Sequence, residues 1–263
     1  MITLQDQLQR TISLPQAPTR IVCLVPSLTA WLHSLGLEEE VVGITKFCVH
    51  PQSWFRSKTR IGGTKDVHVE QVQALQPQLI IASKEENVQQ QVELLYNVAQ
   101  VYVSDVHDMP SALEALAHIG LLTGRHEQAA LLLQQVVTGF RLLPAVKEPV
   151  PAAYLIWQQP YMTAGGDTFI HAMLRRCGLH NVFGEQQRYP QTTLAQLRDS
   201  GCRLVLLSTE PYPFKQQHVQ ALQAELPGVQ VQLADGEMFS WYGSTMLQAP
   251  DYFRRCRQQW AVK

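Results

Sequence analysis

Short apolar runs recur along this chain, each followed by a stretch whose apolar residues repeat at helical spacing. That alternation, more than any other feature, limits the folds open to it. The first run is Arg20-Ile21-Val22-Cys23-Leu24-Val25, closed by Pro26-Ser27. Ser27 or Thr29 can cap a helix with Leu28, Trp31, Leu32 and Leu35 on its apolar face, and Gly36 suits its end. Val41-Val42-Gly43-Ile44 reads as a second strand, followed by a long loop from Thr45 to Asp66. A helix from Val69 to Leu75 stops before Pro77, and the strand Leu79-Ile80-Ile81-Ala82 follows. Ser83-Lys84-Glu85-Glu86-Asn87 is expected to open another helix, and Val101-Tyr102-Val103 to form a further strand. Strands alternating with helices imply a parallel sheet, because parallel neighbours must be joined by a crossover rather than a tight turn.

The middle of the chain breaks the pattern. From Pro110 to Leu143 there is no strand signal. Leu113, Leu116, Ala117 and Leu121 form one helical stripe, and Ala129, Leu133, Val136, Val137, Phe140 and Leu143 a second, with Gly124 between them. A second helix of roughly 19 residues spans ~28 Å. After Pro144 to Pro151 the opening pattern returns. Leu35-Gly36-Leu37 with Val41-Val42-Gly43 is echoed by Cys177-Gly178-Leu179 with Val182-Phe183-Gly184. Gln71 to Leu75 with Leu79 to Ser83 is echoed by Gln196 to Ser200 with Leu204 to Ser208. The expectation is an α/β protein of two parallel-sheet lobes joined by a long rigid helix: an N-terminal lobe over 1–108, connecting helices over 109–144 and a C-terminal lobe over 145–263.

Composition narrows the function. Lys+Arg 21 against Asp+Glu 22 leaves a net charge of -1, which excludes the broad basic face that nucleic acid requires. No window reaches the ~18 apolar residues of a membrane span. Cys23, Cys48, Cys177, Cys202 and Cys256 are odd in number and contain no C-x-x-C, which fits free buried thiols. The opening Met1-Ile2-Thr3-Leu4-Gln5-Asp6-Gln7 has no basic region followed by an apolar one. The expected location is therefore cytoplasmic as written, and periplasmic if a signal peptide preceded this start.

Ligands of parallel α/β sheets bind at the carboxyl ends of the strands. In the first half those ends lead into Pro26-Ser27, Lys46 to Pro51, and Ser83 to Asn87; in the second, into Trp157 to Thr163, Ser208 to Tyr212, and Glu237 to Tyr242. The second set is rich in aromatic residues, which suits a large, flat, partly apolar ligand. His50, beside Phe47 in the longest loop, is a candidate to meet a metal centre inside such a ligand. Catalytic patterns are thin. Ser27 has no G-x-S-x-G around it, and neither Gly62-Gly63-Thr64-Lys65 nor Gly165-Gly166-Asp167-Thr168 has phosphate-loop spacing. Asp105-Val106-His107-Asp108 reads as a turn and helix cap.

These blocks resemble the iron-siderophore/cobalamin solute-binding proteins of ABC importers, the helical-backbone (class III) periplasmic binding proteins. The likeness rests on Arg20 to Thr29, Leu35-Gly36-Leu37, Val41-Val42-Gly43, Gly62-Gly63, Val69 to Ala82, Thr163 to Gly166, Cys177-Gly178 and Asn181-Val182-Phe183. It covers roughly residues 19–258 and leans toward the cobalamin-binding branch. The resemblance implies a ligand held between two lobes with little closing motion. It places Phe47 and His50 where that branch has aromatic pocket residues, and Lys65 near its pocket tryptophan. Trp157 matches a pocket phenylalanine, and Met238, Phe239, Trp241 and Tyr242 lie around its C-terminal aromatic loop. It also implies permease docking through one glutamate per lobe; Glu70 matches the first, and Ala195 stands at the second.

The reading is a non-catalytic binder of a metal chelate, either cobalamin-like, siderophore or haem. It serves as the solute-binding component of an ABC importer or as a cytoplasmic relative. No cofactor is required, and cobalt or iron arrives within the ligand. Stacking is expected from Trp157, Trp241 and Tyr242, further contact from Tyr161, and edge contacts from Lys65 and Lys84. The alternative is an enzyme using the same cleft, with Lys84, Glu85, Glu86 and Glu210 as acid/base groups.

Overall fold

The computed structural model describes residues 1–260. The chain divides into two compact units, one of Met1–Val106, Pro110–Val136 and Tyr242–Ser244, the other of His107–Met109, Val137–Trp241 and the residues from Thr245 onward.

The first unit opens with a hairpin, β1 (Ile2–Gln5) and β2 (Thr11–Leu14). Its main elements are β3 (Ile21–Cys23), α1 (Pro26–Ser34), β4 (Val41–Ile44), α2 (Gln52–Ser57), β5 (Thr59–Arg60), α3 (Val69–Ala74), β6 (Leu79–Ser83), α4 (Gln89–Leu95) and β7 (Gln100–Ser104). The sheet runs β5-β4-β3-β6-β7 and is parallel throughout. β3 and β6 have every residue buried, as strands covered on both faces must. α5 (Met109–Leu122) and α6 (His126–Arg141) follow. α6 begins in the first unit and ends in the second. It runs 16 residues, about 24 Å, shorter than the spacing predicted. Pro144 disfavours helical backbone in the residue before it, so the apolar stripe reaching Leu143 outlasts the helix.

The second unit holds β8 (Val150–Trp157), β9 (Tyr161–Thr163), α7 (Phe169–Arg176), β10 (Leu179–Asn181), β11 (Gln191–Thr192), α8 (Leu194–Asp199), β12 (Leu204–Ser208), α9 (Gln216–Glu225) and β13 (Gln230–Ala234). α10 (Glu237–Ser240), a short 3-10 turn at Ser244–Leu247 and α11 (Ala249–Gln259) follow. The parallel core is ordered β10-β8-β12-β13, the same wiring as β4-β3-β6-β7. The six-residue helices α3 and α8 occupy matching places before β6 and β12. The copies differ at one point: β9 folds back antiparallel on β8 and pairs with β11, so this sheet is mixed.

Two sequence expectations are corrected, and one element is additional to them. The hairpin β1–β2 escaped notice because its alternation covers four residues per strand. The stretch Thr45 to Asp66 contains α2 and β5 rather than loop alone; Trp54, fully buried, anchors α2 and hydrogen-bonds through Nε1 to the Glu38 carboxylate. Ser83 to Asn87 does not open a helix. The Asn87 side chain accepts from Ser83 N (2.8 Å) while Asn87 N donates to Ser83 O (3.0 Å), closing a turn and delaying α4 to Gln89.

The hairpin is tied to the first unit by a buried carboxylate. Asp6, 1% exposed, accepts from Leu8 N and Arg10 N (both 2.9 Å), Arg10 Nε (3.0 Å) and Val103 N of β7 (3.3 Å). Asp6→Ala removes the acceptor and strands the guanidinium, at an expected cost of about 3–5 kcal/mol. Urea unfolding of the two proteins measures it; a difference under ~1 kcal/mol contradicts the assignment.

Candidate functional site

In the first unit the loop after β4 is pinned at one residue. Cys48 is buried, with Sγ 3.1 Å from the hydroxyls of both Thr29 and Thr45. Its neighbours point the other way: Phe47 is 51% exposed and Val49 40%, and Lys46 and His50 are exposed too. A Cβ on Gly63 would lie 3.1 Å from the Phe47 ring and 3.3 Å from Lys46 Cε, so the ring rests directly on that backbone. The Lys46 ammonium stands 5.3 Å from the ring centroid. The segment carrying Lys65 is held by Asn87 Nδ2 on Thr64 O (2.8 Å) and Gln91 Nε2 on Lys65 O (3.2 Å), which leaves the Lys65 side chain exposed. Lys84 pairs with Asp105 at 2.6 Å on the surface. Burial keeps the Cys23 and Cys48 thiols above their ordinary range, so both are protonated structural groups. All five cysteines are free and buried.

In the second unit, β8 ends on Trp157, a large apolar side chain left 40% exposed. It meets Tyr212 edge-on at 5.5 Å, and Tyr212 lies 4.7 Å from Phe214. Tyr161 is half-buried against the same core. At the ends of β12 and β13 a second cluster forms. Gly236 N donates to Thr209 Oγ1 (2.9 Å), and a Cβ on Gly236 would fall 2.4 Å from Glu210 Cγ and 2.6 Å from Ser208 Oγ. Only glycine lets these loops close to that distance. Ser240 Oγ donates to Glu210 Oε1, and the Trp241 side chain also bonds the Glu210 carboxylate. Met238 and Trp241 are half-buried.

Two of the expected ligand contacts are corrected. Phe239 is fully buried, packed on Tyr154 (5.2 Å), Phe253 (4.9 Å) and Trp260 (6.5 Å), because α10 turns it inward as a core residue. Tyr242, 5% exposed, belongs to the first unit, with its hydroxyl 2.9 Å from Ser104 Oγ. Tyr212, Gly236, Ser240 and Lys46 were absent from the sequence-based set. Tyr212 was legible as the aromatic residue after β12; Ser240 and Gly236 matter only through contacts the chain order does not reveal. Among the described residues, no group of three or more His, Cys, Asp or Glu is placed to hold a metal. No described helix is long and apolar enough to cross a membrane.

The periplasmic binding protein family model matches residues 21–226. The chain belongs to that family. It is 26% identical over 203 residues to the vitamin B12-binding protein of Yersinia pestis (strain Pestoides F), covering 75% of this chain and 72% of that one. Among solved structures it is similar to the periplasmic vitamin B12 binding protein BtuF of Vibrio cholerae, with a TM-score of 0.82, 20% identity and coverage of 95% and 100%. The periplasmic heme-binding protein BhuT in complex with two hemes gives 0.78 at 19% identity, over 93% and 100%. An ABC-type Fe3+-hydroxamate transport system from Saccharomonospora viridis DSM 43017 gives 0.74 at 18%, over 98% of each chain. At these identities the structural likeness establishes the fold, the class III periplasmic-binding-protein architecture.

Burial pushes the Glu210 carboxyl from 4.5 up to about 7; Glu237 and Asp235 add to the rise, and the Ser240 and Trp241 hydrogen bonds oppose it. A carboxyl whose folded pKa is raised binds more protons in the native state than in the unfolded one. Its contribution is full below 4.5 and is lost as pH climbs through about 7. Glu210→Gln is expected to remove this loss, so that between pH 5 and pH 8 the wild type loses roughly 2.5 kcal/mol relative to the variant. Denaturant unfolding at both pH values measures it, and parallel pH profiles contradict it.

Proposed function

We propose that this chain is a non-catalytic binding protein for a metal chelate of the cobalamin, haem or ferric siderophore type, the solute-binding component of an ABC importer or a relative of one. The observation that carries the reading is Trp157: a large aromatic residue at the carboxyl end of a central strand, braced by Tyr212 yet left open to solvent. Trp157, Trp241, Tyr161 and Met238 supply flat and polarizable contacts from the second unit; Phe47, Lys65, Lys84 and His50 supply one aromatic face and polar edges from the first. Family membership and the ligands of the similar proteins support the ligand class. Glu70 is exposed in the first turn of α3 and Ala195 exposed on the matching helix α8. At this matched pair of positions a permease would find a carboxylate on one unit only, and docking there would be weaker than through two.

Calorimetric and absorbance titration with cyanocobalamin, haemin and a ferric hydroxamate is expected to give saturable 1:1 binding with at least one. Trp157→Ala is expected to weaken it by about 2–4 kcal/mol. Absence of heat and of any spectral change with all three rejects the reading.

One observation favours a catalytic use of the same loops. Burial raises the Glu210 carboxyl to about 7, the range of a general acid, against the opposing hydrogen bond it accepts from Ser240. Lys84, engaged by Asp105, and the Glu85–Glu86 pair belong to the other unit. Turnover of a bound chelate that disappears in Glu210→Gln while binding persists would establish this second reading.

A further inference from the structure

We propose that the second unit carries a separate site for an organic oxyanion with a short apolar body, in the cavity where the C-terminal end of α7 meets the segment following α6. That cavity, about 230 Å³ and open to solvent, is lined by Arg175, Arg176 and Arg257 together with Phe140, Leu143 and Val146. Three arginines thus share one cavity lining with aromatic and aliphatic residues. Among the described residues no Asp or Glu lines the cavity, and none forms an ion pair with any of the three arginines.

The charge is not cancelled locally. Arg257 donates from Nε to Cys177 O (3.1 Å), from Nη1 to Pro144 O (2.6 Å) and from Nη2 to Arg176 O (2.7 Å). These carbonyls fix its plane and leave two of its five N–H donors unspent. Burial lowers the Arg257 guanidinium from its ordinary value, as expected of a cation without a counter-charge. The C-terminal dipole of α7 offers only about half a negative charge, against three positive ones. The dipole explains why arginines are tolerated in the last turn of the helix, but not why three converge on one cavity. Planar guanidinium forks match carboxylate and phosphate oxygens two at a time.

Size and lining define the ligand. The volume equals roughly eight waters, below the ~300 Å³ of a drug-sized pocket. It fits one carboxylate or phosphate with a chain of a few carbons. The site lies at the amino-terminal edge of the sheet, by Gly178 and the start of β8, at the opposite end of the strands from the aromatic loops of this unit.

The test uses the full chain with hexyl phosphate, hexanoate, inorganic phosphate and hexanol, read by calorimetry and by the arginine Nε–H resonances. Hexyl phosphate or hexanoate is expected to saturate near ~1 mM or below, and inorganic phosphate and hexanol to bind at least ~10-fold more weakly. The stronger of the two amphiphiles identifies the head group. The double variant Arg175→Ala/Arg176→Ala keeps every Arg257–carbonyl bond and is expected to lose the binding at least ~10-fold; Arg176→Glu, with the thermal transition as a folding control, is expected to abolish it. Equal affinity for inorganic phosphate and hexyl phosphate, unchanged binding in the folded variants, or no saturation by ~10 mM overturns the proposal.

Discussion

Parallel strands cannot be joined by a tight turn, and the rest of this structure depends on that constraint. Each crossover must carry the chain back across the sheet as a helix. The parallel strands of one sheet therefore all end on the same edge, and the loops leaving that edge are gathered there whatever their sequence. In both units the central pair, β3 with β6 and β8 with β12, is buried along its length apart from Pro151 and Trp157 of β8. The aliphatic runs fix the sheet, and the sheet fixes where Phe47, Lys84, Trp157 and Glu210 emerge.

The two units use that shared wiring differently. The first holds its loop at one buried point, Cys48, and leaves Phe47 lying on Gly63 with Lys46 above it. The second adds the β9 hairpin, which extends β8 so that Trp157 projects at its end, braced by Tyr212. A rigid, partly exposed aromatic residue backed by another suits recognition of a flat ligand, since little side-chain entropy remains to be lost on binding. Glu210 belongs to this logic as a half-buried acceptor: it holds Ser240 and Trp241 at the C-terminal end of α10.

Much of the fold was legible because its signals are local. The runs Ile21–Cys23, Leu79–Ser83 and Leu204–Ser208 have strand length and strand composition, and Gly36 and Gly178 mark the helix ends at positive φ. What escaped notice depends on contacts distant in sequence. The hairpin β1–β2 is secured by Asp6 reaching Val103, 97 residues away. Phe239 and Met238 are neighbours of equal hydrophobic character, yet α10 turns one into the Phe253–Trp260 core and leaves the other half-exposed. Periodicity has nothing to act on in a four-residue helix. The end of α4 toward Ser83 was misread because Glu85–Glu86 suits a helix start, whereas the Asn87 side chain closes a turn first.

The central claim is that the chelate is held at the carboxyl-end loops and not at the amino-terminal ends of the strands. Amide hydrogen exchange, with and without the chelate that binds most tightly, tests it most directly. The account predicts that protection rises in segments 45–50, 157–162, 208–212 and 237–242, while the amino-terminal ends of β3, β6, β8 and β12 stay as they were. Protection confined to those amino-terminal ends, with the four loop segments unchanged, would contradict it.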